Sequence, residues 1–219
     1  MLAPFTGFGP GALDWFRGLE ADNSREYFEG TRGVWQAQVR APLERLLEEL
    51  AEELGGSVKM FRPHRDVRFS KDKRPYKEHG ACQFRHRLGR DVHAPGFYVH
   101  LAPKEVFVGA GLWMPEADAL LKIRSAIAAR PAAWKKIVND ERLVDTFGAV
   151  EGEQLLRPPR GFDPNHPLIG DIRRKSFVVG RASTERAARS ADFVSETADC
   201  FAAAAPFMRF LCSALAVPM

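Results

Sequence analysis

Apolar side chains recur at helical spacing through the first quarter of the chain. Leucines, a tryptophan and a phenylalanine from residue 13 to 19 predict a short amphipathic helix. The same spacing from 28 to 54 predicts a longer helix, which Pro42 interrupts because its ring removes a helical hydrogen bond. Asn23, followed three residues later by Glu26, is the predicted cap at the start of that second helical region.

The period changes to two in the middle third of the chain. From residue 61 to 69 the alternation predicts a strand with Phe61, Val67 and Phe69 on its buried face. The polar face of that strand carries four side chains: Arg62, His64, Asp66 and Arg68. Such a strand would line up its charged side chains along one side of a sheet.

Three further segments predict neighbouring strands of an antiparallel meander, since they are short, aromatic or β-branched, and bounded by turn formers. They are residues 81–87, 96–102 and 105–113. Helical patterns return after Pro115 and from 192 to 215, with a short strand at 175–180 between them. N-terminal helices, a central, mainly antiparallel sheet and C-terminal helices predict an α+β fold, and we expect residues 1–219 to form a single domain.

The positive charge of the chain is concentrated in one segment. Among 219 residues there are 32 lysines and arginines and 28 aspartates and glutamates, a formal net charge of +4. Residues 62–77 contain seven of these bases and two of the acids, a local charge of +5, which leaves the other 25 bases and 26 acids at −1. This distribution excludes a protein that is basic over its whole surface, and it indicates one anion site or one strongly charged loop.

The cysteines and the apolar runs indicate the compartment. The chain has three cysteines, an odd number with no CxxC pair: Cys82, Cys200 and Cys212. This pattern indicates free thiols in a reducing environment. The first residues lack the basic and apolar regions of an export signal. Charges interrupt the apolar runs, so we expect no membrane span and predict a cytoplasmic protein.

The basic segment also carries a specific motif. Residues 62–76, RPHRDVRFSKDKRPY, meet all nine fixed positions of the signature RxxRDxRFxxDKxPY. In this motif the chain resembles a bacterial family, domain of unknown function 2461. The likeness extends over nearly the whole chain, through DNSREYFEG, GFYVHLAPKEVFVGAGLWMP and RPPRGFDPNHP. The resemblance implies a cytoplasmic, single-domain protein, and it carries over no catalytic residue.

The chemistry of the basic segment suits a small anion. Two arginine forks on one strand face would converge on a phosphate or carboxylate, with Asp66 orienting one arginine and the following lysines closing over the ligand. A second basic, turn-rich loop at 157–174 is expected to complete the same basic cleft. The candidate ligand-binding residues are Arg62, His64, Arg65, Asp66, Arg68, Lys71, Lys73, Tyr76, Lys77, Arg160 and His166.

Two other functions fit the same segment. Basic and aromatic side chains together suit an RNA- or DNA-binding module, although Phe61 and Phe69 would be core residues of the predicted strand. Alternatively, the arginines pair with Asp66 and Asp72 in the ion-pair network of a non-catalytic structural or partner-binding protein. Two acids cannot neutralise seven bases, and the near-neutral remainder offers no track for a polyanion. A phosphorylated or carboxylated small molecule is therefore the preferred ligand.

No metal or cofactor site is predicted. Four histidines recur every seven residues: His79, His86, His93 and His100. An odd spacing changes the face of a strand, and none of the usual zinc-ligand spacings occurs. We expect His100 to be a buried core histidine and His64 to be the candidate acid or base. No nucleophile motif is present, so the sequence assigns neither a reaction nor an oligomeric state.

Overall fold

The N-terminal part of the chain is helical. The computed structural model describes residues 4–54, 57–85 and 94–219, and of residues 52–54, 57 and 85 it describes the backbone alone. The helical elements are α1 (Pro10–Ala21), α2 (Arg25–Gly30), α3 (Arg32–Val34), a π-helical segment (Trp35–Arg40) and α4 (Ala41–Leu54). α1 and α4 bury the apolar positions that the spacing singles out, among them Phe16, Leu19 and Leu46.

Local chemistry sets the start of α2 and the break before α4. Ser24 caps α2, because its hydroxyl accepts a hydrogen bond from the Tyr27 backbone N–H at 3.0 Å. The prediction that Asn23 is the cap was wrong, since Ser24 holds the position from which a side chain reaches the third helical N–H. The predicted interruption at Pro42 takes the form of the π-helical segment, where the Ala41 N–H donates to the Gln36 carbonyl. Pro42 has no N–H for the next bond of the ladder.

The centre of the chain forms a five-stranded antiparallel sheet. Its strands are β1 (Ser57–Met60), β2 (Gly80–Arg85), β3 (Gly96–Ala102), β4 (Glu105–Leu112) and β5 (Phe177–Ser183). They neighbour one another in chain order, β1-β2-β3-β4-β5, which is the order of a meander. The predicted α+β fold, with helices before and after an antiparallel sheet, is confirmed.

The remaining helices lie between β4 and β5 and after β5. They are α5 (Ala117–Ala129), α6 (Pro131–Val138), α7 (Glu141–Phe147), α8 (Ile169–Ile172), α9 (Glu185–Ala188) and α10 (Phe193–Leu215). Pro131 occupies the first turn of α6, where its missing N–H costs no hydrogen bond. β5 follows α8 in the chain and lies beside β4 in the sheet. The segment that contains α5–α8 therefore connects two neighbouring strands.

α10 is a long apolar helix. Within the described residues it alone is long and apolar enough to cross a membrane, with a mean hydropathy of 1.3 over its most apolar stretch. The expectation that no apolar run reaches such a length was therefore wrong. Half of that stretch is buried, and its buried side chains include Phe201, Phe207 and Leu211. Core helices of globular proteins have this composition, and burial within the fold accounts for it here.

The two faces of the sheet differ in chemistry. Phe97, Val99 and Leu101 of β3 are buried apolar residues. Tyr98 and His100 alternate with them and so point to the opposite face. That second face therefore brings hydroxyl and imidazole groups into the interior of the protein.

The chain divides into two compact units. The first comprises Met1–Phe84, Tyr98–Val108 and Ala182–Ala198, and the second comprises Arg85–Phe97, Gly109–Arg181 and Asp199–Met219. Residues 62–77 belong to the first unit and residues 157–174 to the second. The organisation of residues 1–219 as one domain stays a prediction.

Candidate functional site

Residues 62–77, which we call the basic loop, fold back on themselves. The predicted strand from 61 to 69 was wrong, because these residues join no ladder of the sheet. His64 instead bridges to Tyr76, and two backbone bonds of 2.8 Å, from Arg65 N–H to the Pro75 carbonyl and from Lys77 N–H to the Pro63 carbonyl, flank that bridge. Both prolines lack an N–H, so the pairing cannot extend into a longer ribbon.

Tyr76 anchors the basic loop to the helical region. Its side chain is only 4% exposed, and its ring stacks on Phe28 with centroids 4.3 Å apart and planes 5° apart. The amide of Asn23 accepts from the Tyr76 N–H at 2.9 Å and donates to the Tyr76 carbonyl at 3.2 Å. Asn23 thus binds the peptide of Tyr76 as a neighbouring strand would. This role was not predicted from the sequence.

Ion pairs close the basic loop. Asp72 lies 2.6 Å from Arg65 and 2.7 Å from Arg74, and Arg74 also contacts Glu78. Hydrogen bonds from Arg74 and then from Arg65 hold the pKa of Asp72 well below its usual range. The pairing of signature arginines with signature carboxylates, one of the arrangements expected from the sequence, is therefore present.

A second ion pair lies further out on the basic loop. Arg68 binds Asp66 through two nitrogens at 2.9 and 2.7 Å, and these bonds lower the pKa of Asp66 to about 2. The side chain of Arg68 is 76% exposed, so water screens this pair and it contributes little to stability.

Phe69 lies on the surface of the basic loop. The prediction that it is a core residue was wrong, because it depended on a strand that does not form; the side chain is 96% exposed. The guanidinium carbon of Arg68 lies 5.9 Å from the centroid of its ring. Lys71 and Lys73 are exposed nearby in sequence, and Lys73 donates to the Val67 carbonyl at 2.9 Å.

The charges of three cations, one on β1 and two in the basic loop, act on one another. We call Lys59, Arg62 and Lys77 the cation group. The ammonium of Lys77 lies 5.2 Å from the centroid of the Phe61 ring, and burial, then Arg62 and Lys59, lower the pKa of Lys77. Among the side chains that the structure describes, no carboxylate lies within ion-pair distance of any of the three. These three positive charges repel one another, and they form part of the charge surplus seen in the sequence.

A stack of rings adjoins the cation group within the first unit. The imidazole centroids of His79 and His100 lie 4.5 Å apart, and His100 stacks on Phe107 at 4.8 Å. We call these three residues the histidine stack. Tyr98 Oη lies 3.1 Å from His100 Nδ1, within hydrogen-bonding distance. His100 is 8% exposed, so the expectation of a buried histidine is confirmed, but its pairing with His79 was not foreseen.

Both histidines of the stack are neutral at pH 7. Burial lowers the pKa of His100 to about 4. Burial, then His100 and Lys77, lower the pKa of His79 to about 4 as well. Lys77 and Arg65 of the basic loop both lower the pKa of His79 further.

The other predicted site residues fall in separate places. His64 is exposed, with its ring 5.1 Å from that of Tyr76. Arg160 is exposed, and His166 Nδ1 accepts from the Leu168 N–H at 3.1 Å. Both belong to the second unit, and their contribution to the same pocket as the basic loop stays a prediction.

The described residues form no group of three or more histidine, cysteine, aspartate or glutamate side chains suited to a metal ion. Two of the four regularly spaced histidines, His86 and His93, lie outside the residues that the structure describes. The other two, His79 and His100, meet in the stack.

The fold and the site define an α+β protein. Its basic loop pairs with itself through His64 and Tyr76, and the stacked rings of His79 and His100 belong to the same compact unit. The model of the family described as conserved hypothetical protein (DUF2461) matches residues 11–210, and the chain belongs to this family. No curated protein matches the sequence.

Proposed function

We propose that this protein binds a phosphorylated or carboxylated small molecule at the cation group. The observation that carries the proposal is that Lys59, Arg62 and Lys77, whose charges act on one another, have no carboxylate partner among the described side chains. Like charges held together raise the free energy of the unliganded protein, and an anion among them relieves that repulsion while forming charge-assisted hydrogen bonds.

The arginines of the basic loop that pair with carboxylates support the structure of the loop. Three carboxylates, Asp66, Asp72 and Glu78, pair with Arg68, Arg65 and Arg74 and so hold the shape of the basic loop. The cations that remain for a ligand include Lys59, Arg62 and Lys77, whose charges act on one another. This arrangement fits a compact anion, which can meet several of these charges at once.

The reducing interior of the cell is the compartment that we propose. Cys82 and Cys212 are buried thiols, and burial raises the pKa of Cys82 to about 12, so it stays protonated and unreactive. Cytoplasmic phosphometabolites and nucleotides are abundant anions of the proposed class.

A thermal-shift screen tests the proposal. The panel contains phosphorylated metabolites, nucleotides and di- and tricarboxylates, and the protein is compared with its Arg62→Ala/Lys77→Ala variant. A ligand present at 100 times its Kd stabilises the folded state by about 2.7 kcal/mol. For a chain of this size that raises Tm by roughly 5–10 °C. We expect such a shift for the wild type and none for the variant. A flat profile for the wild type across the panel contradicts the proposal.

The exposure of Phe69 favours a second candidate function, binding of single-stranded RNA or DNA. An exposed aromatic ring beside Arg68, Lys71 and Lys73 offers a stacking surface and phosphate contacts together. Fluorescence anisotropy with mixed oligonucleotides at several salt concentrations tests it. Steep salt dependence in the wild type, with affinity lost in Phe69→Ala, would support this function, and salt-independent or absent binding would contradict it.

A further inference from the structure

Arg124 of α5 is a buried arginine with an unpartnered side-chain nitrogen. The residue is 9% exposed, and its Nη2 donates to the backbone carbonyl of Arg174 at 2.8 Å. This bond uses one of the five N–H groups of a guanidinium. The Nε of Arg124 is buried and has no hydrogen-bond partner among the residues that the structure describes. Because buried polar groups in folded proteins nearly always have a partner, this nitrogen points to a bound group.

The charge of Arg124 is not balanced by a carboxylate. Within the described parts of the chain, no aspartate or glutamate oxygen lies within ion-pair distance of its guanidinium. Asp171, three residues before Arg174, accepts from Arg174 Nε at 3.0 Å and from Trp134 Nε1 at 2.8 Å. A guanidinium keeps its proton inside a protein, and a buried charge without an opposite charge is destabilising. A water molecule could complete the hydrogen bond of Nε, but only an anion would also balance the charge.

The segment that Arg124 contacts is itself rich in positive charge. Two of its cations pair with the carboxylates of Asp171 and Glu153, at 3.0 and 2.8 Å. The third, Arg173, donates to the Leu155 carbonyl at 2.6 Å. Together with Arg124 these contacts join four cations and two carboxylates, an excess that attracts an anion. The three cations of the segment follow α8 in succession: Arg173, Arg174 and Lys175.

We propose that Arg124 binds the carboxylate of a small monovalent acid, such as formate or acetate, at a site in the second compact unit. A planar carboxylate offers two oxygens to neighbouring N–H groups of the planar guanidinium, Nε among them. One negative charge balances the one buried positive charge. Bulky acids are excluded, because so little of Arg124 is exposed. The inference is independent of the proposed function, since the cation group belongs to the first unit.

A titration of the 15N-labelled wild-type protein with acetate and with benzoate tests the proposal. Both are monovalent carboxylates, and benzoate carries a bulky ring. NMR spectra at pH 7 and constant ionic strength follow the arginine Nε–H resonances. We expect acetate to shift one of these resonances saturably and to bind at least tenfold more tightly than benzoate. Absence of a saturable shift, or equal affinity for the two acids, overturns the inference.

Two charge-conserving substitutions locate the site. Arg124→Lys keeps the charge but lacks Nε–H and the planar fork, so it should weaken acetate binding at least tenfold. Arg142→Lys, at an exposed arginine of α7, should leave the Kd within about twofold of the wild type. Circular dichroism reports whether each variant is folded. If Arg124→Lys is not, Arg124→Met replaces it with the same expected loss. A folded Arg124 variant that binds acetate as the wild type does contradicts the assignment.

The Arg62→Ala/Lys77→Ala variant separates this site from the cation group. We expect it to bind acetate with a Kd within about twofold of the wild-type value, because Arg124 is unchanged. Loss of acetate binding in this variant, with retention in the Arg124 variant, would assign the acid to the cation group. That result overturns the present inference and leaves the proposed function intact.

Discussion

The basic loop and the histidine stack belong to the same compact unit, and they hold their titratable groups in opposite states. The carboxylates of the basic loop lie at the surface beside arginines, and hydrogen bonds from Arg68 lower the pKa of Asp66 to about 2. In the stack, His100 is buried and His79 is half-buried, and the pKa of both is lowered to about 4, chiefly by burial. Exposure with a partner keeps a group charged, whereas burial without an opposite charge keeps it neutral. Counting charges along a sequence finds the first kind of region and misses the second.

The largest expected difference in stability is between the loss of Tyr76, which anchors the basic loop, and the loss of Phe69 on the surface of the same loop. Tyr76→Ala removes a ring that stacks on Phe28 in the interior, and it should lower the free energy of unfolding by about 3–5 kcal/mol. Phe69→Ala removes a ring from the same loop that is exposed to water, and it should change stability by at most about 0.5 kcal/mol. Urea denaturation of both variants measures the difference. Equal losses would show that Phe69 packs against the protein.

As the pH falls, protonation of the histidine stack should lower the stability of the protein before protonation of the carboxylates of the basic loop does. The folded-state pKa of His79 and of His100 is about 4, below the value of about 6.5 for an unfolded histidine. Between these values the unfolded chain binds more protons, so stability is fully present above about pH 6.5 and falls as the pH drops toward 4. Allowing for partial exposure, we expect a loss of about 2–4 kcal/mol from the two histidines.

Denaturant titrations at pH 7, 5.5 and 4.5 measure this loss, and His79→Gln/His100→Gln should flatten the profile. Asp66 follows the same course at lower pH, because its depressed pKa adds stability above about 3.8 that is lost as the pH falls toward 2. A double variant with the wild-type slope between pH 6.5 and 4 would refute the neutral histidine stack.

Loss of the Asn23 side chain should destabilise the protein less than Tyr76→Ala and more than Arg68→Ala. Asn23→Ala leaves the Tyr76 N–H and carbonyl without their side-chain partner, and it should cost about 1–3 kcal/mol of unfolding free energy. Asn139→Ala is the matched control, since Asn139 is exposed and donates only to the Lys135 carbonyl one turn earlier. Thermal or urea denaturation should place the control within about 0.5 kcal/mol of wild type. If the two variants are equally stable, the side chain of Asn23 does not hold the basic loop.

The smallest effect belongs to the exposed ion pair. Arg68→Ala should leave the free energy of unfolding nearly unchanged, because water already screens its pair with Asp66. Urea denaturation at low and high salt checks this, and any loss should shrink as salt rises. A loss of several kcal/mol would mean that Arg68 is buried in an internal network.

Much of the fold could be predicted from the sequence, because the spacing of apolar residues within a segment indicates whether it forms a helix or a strand. β3 and β4 are short runs rich in aromatic and β-branched residues, and α1 repeats its apolar residues at helical spacing. The segment from 61 to 69 shows where this reasoning fails. Alternation indicates a strand only if a partner strand exists, and Pro63 within the segment was the available sign against one.

The site was less accessible to sequence reasoning, because its groups meet through tertiary structure. The pairs within the basic loop join residues close in sequence, so Asp66 and Asp72 could be named as partners of the arginines. His79 and His100 meet because they lie at β2 and β3, and the register of those strands does not follow from a repeat of seven residues. The bond between Asn23 and Tyr76 spans 53 residues and leaves no local pattern.

The central claim is that the unpaired cations, and not the paired arginines, bind the anion. Isothermal titration with inorganic pyrophosphate tests it on two double variants that lower the net charge equally. Arg62→Ala/Lys77→Ala removes cations of the cation group, and Arg68→Ala/Arg74→Ala removes arginines held by Asp66 and Asp72. We predict at least tenfold weaker binding for the first variant and a change within about twofold for the second. Equal weakening of both would contradict the claim, because it would show that only the total charge of the basic loop matters.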